Sequence, residues 1–418
     1  MTKRIGIIGG GQLGLMIAEE AHRLGAAVSV LDPSPDAPAF AEADDCIVAS
    51  YDDLSALERL GESTDVLTYE FENVPGDVLR HLESKFNIKQ GVAPLFDSQD
   101  RLREKNNAAR YGLPVPDYVP LPSCSADENC VEVPGIRTSG GSRPMTAEER
   151  EAELREAVEK IGMPCVLKTR RLGYDGHGQV VIRGEEDITE AAKLLEVPCI
   201  LEAFVKFDYE CSVIMVRDSS QTIYFPIGRN IHKDGILDLC VVPAEGIYKG
   251  DANDLSPLGQ RIIDACKAFM EGCDYKGIVT MELFVCGDSF VFNEMAPRPH
   301  NSGHYTIEAC DVSQYSELCK FLMDIPLTQP SLKGPSIMKN ILGQDLDAAW
   351  GLVDAAKDCG NASNSSKCPL AWCGKAGDGV YMHIYGKTSS RPKRKMAHVT
   401  FVPITIEEYE REWGHLWV

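Results

Sequence analysis

The sequence spans 418 residues, 44% hydrophobic and 25% charged, an ordinary globular composition with length for roughly two to four domains. A net charge of −21 argues against nucleic acid or an anionic membrane surface as partner, and no apolar run reaches the roughly 18 residues that a membrane span needs. The 15 cysteines are scattered without a C-x-x-C pair and read as small buried hydrophobes of a reducing compartment, not as a zinc site or disulfide framework.

The first strand pattern begins almost at the N-terminus and leaves no room for a signal or transit peptide, so a cytoplasmic protein is expected. Ile5, Ile7 and Ile8 predict a buried strand. Gly9-x-Gly11-x-x-Gly14 follows, and Leu13, Ile17, Ala18, Ala21 and Leu24 recur at helical spacing up to a stop at Gly25. Val28–Asp32 reads as a second strand ending in an acid, 18 residues beyond Gly14. Two readings stand here. The turn brings free N–H groups to an anion, as in an NAD or NADP enzyme with Asp32 on a ribose, or it only packs a helix close to a sheet.

"DDCIVAS" and "TDVLTYEF" continue an α/β pattern with a parallel sheet to about residue 98. "QDRLREKNNAARYGLPVP" starts a helix that Gly112 and Pro114 end. Pro122 to Pro144, rich in Ser, Gly, Pro and acids, reads as an exposed loop. Thr146-x-x-Glu149 is a capping box that opens a charged helix. "MPCVLKTR", "GYDGHGQ" and "VVIR" read as strand, glycine loop and returning strand. Strand-rich sequence follows, then a helix over Ser256 to Glu271 and strands "GIVTMELFVC" and "SFVFNEMA". From Leu332 the pattern is again β-rich, and no period of 20–50 residues signals a repeat.

Four places carry chemistry. Lys168 at a strand end before a glycine loop suits nucleotide phosphates; the plain alternative is a surface lysine before a hairpin. Glu282 and Glu294 lie on neighbouring strand patterns, so an antiparallel pair would set both carboxylates on one face. With Asn293 they suit magnesium, and Arg298 and His300 follow in a proline-rich turn that can face a phosphoryl group. Ile200 to Val205, with Glu202 and Glu210, offers groups for an adenine and a ribose. Lys387, Arg391, Lys393, Arg394 and Lys395 form the one strongly basic cluster, which reads as a site for a substrate phosphate or as a solubilising loop.

"GGGQLG", "YEFENV", "QDRLREK", "VLKTRRLGYDGHGQ", "NEMAPRPHNSGH" and "YGK" with "RKMAH" occur in this order. Together they resemble the N5-carboxyaminoimidazole ribonucleotide synthetases, ATP-grasp carboxylases of purine biosynthesis, over nearly the whole chain. The resemblance implies an α/β and α+β multidomain protein. A Rossmann-like pre-ATP-grasp domain would span 1–98 and a two-lobed ATP-grasp body 99–331, its lid-bearing lobe about 120–203 with an insertion at 122–144. A small β-rich C-terminal domain would span 332–418. It implies that ATP, magnesium, bicarbonate and 5-aminoimidazole ribonucleotide react through carboxyphosphate, in a homodimer.

By the same resemblance Arg101 and Lys168 contact the nucleotide, and Gly173, Tyr174, Asp175, Gly176, His177, Gly178 and Gln179 form the phosphate lid. Glu202, Ala203, Phe204, Val205 and Glu210 hold adenine and ribose. His232 stands beside nucleotide and bicarbonate. Glu282 and Glu294 bind magnesium, with Asn293 alongside. Gln12, Leu13, Glu72, Tyr174 and Asp175 contact the ribonucleotide, and Lys387 and Arg394 its phosphate. Asp175, His232, Arg298 and Lys387 are the expected catalytic groups. Three departures stand out: His177 replaces a basic lid residue, Ala397 replaces a glycine, and the 122–144 loop is inserted. The competing readings are an NAD-dependent oxidoreductase, a formate-dependent ribonucleotide transformylase of the same fold, and a non-catalytic nucleotide sensor. The first leaves Lys168, the carboxylate pair and the basic cluster without a purpose.

Overall fold

The structure, a computed structural model, describes residues 2–121, 145–173, 178–358, 371–377 and 379–417. The expected loop at 122–144 lies outside the described residues.

Strand Arg4–Ile8 forms where the isoleucines predict it and sits inside a four-stranded parallel sheet, between Ala27–Asp32 and Val66–Tyr69, with Asp45–Val48 outermost. Helix Gln12–Arg23 buries Leu13, Ile17 and Ala21. It packs on helix Gln314–Met323 of the central body, and Leu13 and Ile17 share one apolar core with Ile214 and Leu318. The N-terminal domain is therefore fastened to the body by continuous burial, which at roughly 25 cal/mol per Å² of apolar surface removed from water is the main adhesive term.

A four-stranded antiparallel sheet builds the first lobe of the body, in the order Tyr118–Leu121, Cys199–Ala203, Cys165–Thr169, Gln179–Ile182. Helix Ala147–Ile161 covers it, opened by the expected reciprocal bonds of Thr146 and Glu149. The second lobe is a ten-stranded antiparallel sheet. It begins at the edge strand Ser289–Ala296 and passes through Gly277–Cys286, Tyr209–Arg217, Gly228–Lys233 and Ile236–Val242.

There the sheet continues across the expected boundary at 331/332. Strand Ser336–Leu342 pairs directly with Ile236–Val242, Met338 opposite Cys240, and the sheet runs on through Lys395–Phe401, Val380–Tyr385 and Ala371–Gly377. The C-terminal β-rich unit is an extension of the body's sheet, because an edge strand left open at Ile236–Val242 would expose a row of unpaired amides and carbonyls. At the opposite edge, helix Arg101–Arg110 covers strand Ser289–Ala296. Ala397 is fully buried opposite Ile341 and Ile384, so its methyl group is accommodated in the sheet.

Candidate active site

The glycine turn is closed by the protein's own acids. The amide of Gly10 donates to Asp32 at 2.7 Å and that of Gly11 donates to Glu70 at 2.7 Å. A Cβ on Gly11 would lie 2.8 Å from Glu70 Oε1, and Gly9 adopts φ +106°, a conformation that favours glycine. Asp32 also accepts from the Ser34 amide and the Tyr51 hydroxyl, each at 2.8 Å. The expectation that these amides meet a ligand anion is thus corrected: the anions are carboxylates of neighbouring strand ends. Asp32 is committed to protein donors, which removes the residue on which the NAD reading leaned.

Glu282 and Glu294 stand directly opposite each other on the antiparallel strands Gly277–Cys286 and Ser289–Ala296. The register slips next to them, pairing Leu283 with Phe292 and leaving Asn293 as the extra residue of a bulge. Arg101 donates to Glu294 at 2.8 Å. Burial works to raise Glu294, and Arg101 outweighs it and holds the carboxylate below its usual range. Glu282 has no such partner: burial, with Glu294 and Glu210 beside it, pushes it up to about 8. Its neighbour His300, 3.5 Å away, is held well below the usual histidine value by burial and by Arg298. Two opposed hard-oxygen ligands, Glu282 largely enclosed and Glu294 partly exposed, fit magnesium. Among the described residues no group of three or more His, Cys, Asp or Glu is placed to hold a metal; Glu282 and Glu294 would hold magnesium as a carboxylate pair, a number of protein ligands usual for that ion at nucleotide sites.

A cavity of about 260 Å³ opens above this pair, walled by Arg101, Lys168, Gln179, Glu210, His232 and Asn293 among others. Lys168 lies opposite Gln179 in the hairpin and donates to Glu202 at 2.8 Å. Glu202 was expected at an adenine edge. Its side chain is instead sealed beneath Lys168, with Lys105 at 3.7 Å on its other side. Burial works against its charge, and the two lysines hold it below the usual range. Only the connector Ala203, Phe204 and Val205 stays accessible, Phe204 being exposed. Glu210 and His232 meet at 2.6 Å; burial alone would lower His232, but Glu210 raises it. Tyr174, Asp175, Gly176 and His177 lie outside the described residues. Gly178 adopts φ +75° at the end of that loop.

A second cavity, of about 720 Å³, lies on the other side of the carboxylates. Gln12, Leu13, Glu72, Gly173 and Arg298 wall it, and Arg298 meets Glu72 at 3.0 Å. Lys387 reaches Gln12 from behind, at 2.8 Å, and burial together with Arg394 pushes it down to about 7. Arg394 itself donates to the carbonyl and hydroxyl of Ser389 and does not wall the cavity. The two cavities share Arg101, Glu282, Glu294, His300, Asn301 and Lys395. Of the residues at this junction, Asn301 was not among the expected site residues, His300 was expected only to face a phosphoryl group, and Lys395 only as part of the basic cluster. The sequence held a signal for each, since they lie in "NEMAPRPHNSGH" and the basic cluster, but no spacing rule selects them. A further cavity of about 960 Å³ at the seam of the N-terminal domain and the body contains neither the carboxylate pair nor Lys168.

Two lobes gripping a cavity, with a strand-end lysine on one and opposed carboxylates on the other, define an ATP-grasp enzyme. Residues 138–315 match the ATP-grasp domain, 1–95 the ribonucleotide synthetase preATP-grasp domain and 336–412 the phosphoribosylaminoimidazole carboxylase C-terminal domain. The chain is 35% identical to the N5-carboxyaminoimidazole ribonucleotide synthase of Staphylococcus haemolyticus, over 97% of this chain and 94% of that one. It is similar in structure to the Staphylococcus aureus synthetase complexed with ADP (TM-score 0.81, 32% identity, covering 100% and 98% of the two chains). It is also similar to the Aspergillus clavatus synthase in complex with ADP and 5-aminoimidazole ribonucleotide (TM-score 0.80, 26% identity, covering 99% and 97%). The chain belongs to the N5-carboxyaminoimidazole ribonucleotide synthase family.

Proposed function

We propose that the two cavities divide one reaction between them, with the nucleotide on the Lys168 side, the ribonucleotide on the Gln12 side and bicarbonate at the residues they share. The reaction is the ATP-dependent carboxylation of 5-aminoimidazole ribonucleotide by bicarbonate, yielding N5-carboxyaminoimidazole ribonucleotide, ADP and phosphate in purine biosynthesis. The observation that carries this division is the opposed pair Glu282 and Glu294 where both cavities meet. Relatives solved with ADP, and with ADP and 5-aminoimidazole ribonucleotide together, support it.

A bicarbonate oxygen attacks the γ-phosphorus, ADP leaves, and carboxyphosphate forms. The exocyclic amine of the ribonucleotide then captures the carboxyl carbon, or the CO2 released from it. The bond to phosphate breaks, inorganic phosphate departs and the amine loses a proton. In this reading Lys168 and Arg101 face the phosphates, with Gly173, Gly178 and Gln179 at the lid's ends. Ala203 to Val205 and Glu210 receive the nucleoside. His232, paired with Glu210 at 2.6 Å, stands on the bicarbonate side. Glu282 and Glu294, with Asn293 beside them, would hold magnesium, which supplies charge neutralisation at the phosphate oxygens. Arg298 with Glu72, Gln12 and Leu13 orient the ribonucleotide, and Lys387 and Arg394 supply positive charge for its phosphate. The protein's task is alignment, electrostatics and exclusion of water from a labile intermediate. Tyr174, Asp175, Gly176 and His177 keep the lid roles that the resemblance implies.

Units at 1–98, 99–331 and 332–418, a homodimer and a cytoplasmic location complete the reading. Among the described residues no helix is long and apolar enough to cross a membrane. Light scattering on the eluting protein tests the dimer, for which twice the chain's mass is expected. The activity test is ADP release with ATP and magnesium, which should need both bicarbonate and 5-aminoimidazole ribonucleotide for its full rate. ADP release indifferent to the ribonucleotide would overturn the assignment, and an NAD-linked absorbance change would favour an oxidoreductase.

A further inference from the structure

Helix Arg101–Arg110 presents three charged side chains, at i, i+3 and i+4, to the edge strand that bears Glu294. Arg101 takes the Glu294 carboxylate. Glu104 Oε1 accepts from the amide of Met295 at 2.5 Å, on the C-terminal side of Glu294. Lys105 Nζ donates to the carbonyls of Asn293, at 2.5 Å, and Phe292, at 3.2 Å, on its N-terminal side. Asn293 is the bulge residue, whose carbonyl the ladder does not pair in register. Met295 lies on the sheet's edge strand, where outward amides lack a neighbouring strand. Glu104 and Lys105 are almost wholly buried, and buried charge is retained at a high desolvation penalty unless its partners are well placed. Lys105 also stands 3.7 Å from Glu202, which holds Lys168.

We propose that Glu104 and Lys105 are positioning residues for nucleotide binding: they fix the main chain on both sides of Glu294 and, through Glu202, set the place of Lys168. The bulge aims the Glu294 carboxylate across the strand pair toward Glu282, and a bulge whose carbonyl lost its lysine would relax toward regular pairing and turn that carboxylate away. Glu104 itself walls the Gln12-side cavity, whereas Lys105 lines neither cavity, so selectivity for the nucleotide is expected of Lys105 and is read on that residue. This rests on the reading of Glu294 as a magnesium-side ligand.

The test is calorimetric titration of the full-length protein with ADP, with and without magnesium, and with 5-aminoimidazole ribonucleotide. Lys105→Met should weaken magnesium-dependent ADP binding about tenfold or more and leave ribonucleotide binding within about twofold. Glu104→Gln keeps the acceptor for Met295 and should bind ADP like the parent, while Glu104→Asp, one methylene too short, should lose about tenfold. If Lys105→Met does not fold, the Glu104 pair decides: equal ADP affinity in Gln and Asp variants overturns the proposal. So does an equal loss for ADP and ribonucleotide in Lys105→Met, the mark of a merely structural role. Glu294→Gln in the same series separates the two claims. If it loses magnesium-dependent affinity while Lys105→Met and Glu104→Asp do not, the positioning role alone fails. If Glu294→Gln binds like the parent, the ligand reading fails and the proposal with it.

Discussion

The ammonium of Lys387 donates to the side-chain carbonyl of Gln12 at 2.8 Å, joining residues 375 positions apart. It donates as well to the carbonyl of Lys395 at 2.7 Å. One contact thus brings the glycine turn, the second cavity and the basic cluster to a single point. Within the cluster Lys387 is thereby withdrawn from solvent, whereas Arg391 and Lys393 are exposed.

Lys387→Ala should raise the KM for 5-aminoimidazole ribonucleotide at least tenfold and leave that for ATP within about twofold. Steady-state kinetics with each substrate varied checks this, and equal effects would count against the placement. The group's lowered value, about 7, has a consequence for pH. Its charge is present below that value and lost above it, so kcat/KM for the ribonucleotide should fall as pH rises from 7 to 9. A profile flat over that range, or one unchanged in Lys387→Ala, would contradict it.

Glu294→Gln keeps the size and removes the charge that Arg101 and magnesium require. ADP release should drop by ~100-fold or more, the scale seen when one preorganised electrostatic group is removed. The melting temperature should stay within a few degrees of the parent. Turnover at the parent's rate would show that the carboxylate pair has been misassigned.

Asp100 caps helix Arg101–Arg110 through the Leu102 amide and takes Arg170 in a two-point contact at 3.0 and 2.7 Å, both partners buried. Asp100→Ala removes both of these bonds from a buried guanidinium and should destabilise the fold by about 3–5 kcal/mol. Urea denaturation followed by circular dichroism reads this directly. A loss under about 1 kcal/mol would mean that solvent reaches the pair.

Gly11→Ala places a methyl group against Glu70. The backbone there is extended and tolerates alanine, so the effect should come from displacing Glu70 and the adjoining Gln12. Several-fold weaker ribonucleotide binding with unchanged ADP binding is expected in calorimetry. Unchanged binding of both would separate the turn from the substrate pocket.

Much of the site was legible along the chain. The facing of Glu282 and Glu294 followed from strand alternation and the short connection between them, and the capping box at Thr146 from a four-residue pattern. What local patterns do not show involves groups distant in sequence. Glu202 is enclosed by Lys168, 34 residues away, and by Lys105. The turn at Gly9 to Gly14 looked open until Glu70 and Asp32 were seen to take its amides.

The sequence by itself determined the local elements, the order of the chemistry-bearing motifs and, through that order, the family. Those properties reside in spacings of a few residues, where helical and strand periodicity decide which side chains share a face. Only the tertiary structure decided which charge meets which. Desolvation makes a buried charge tolerable only beside its partner, and those partners come from elements distant along the chain: Glu70 over the glycine turn, Lys105 of helix Arg101–Arg110 at the bulge, Lys387 on Gln12. The same packing joined the C-terminal strands to the body, because the open edge at Ile236–Val242 required a partner that no local pattern names.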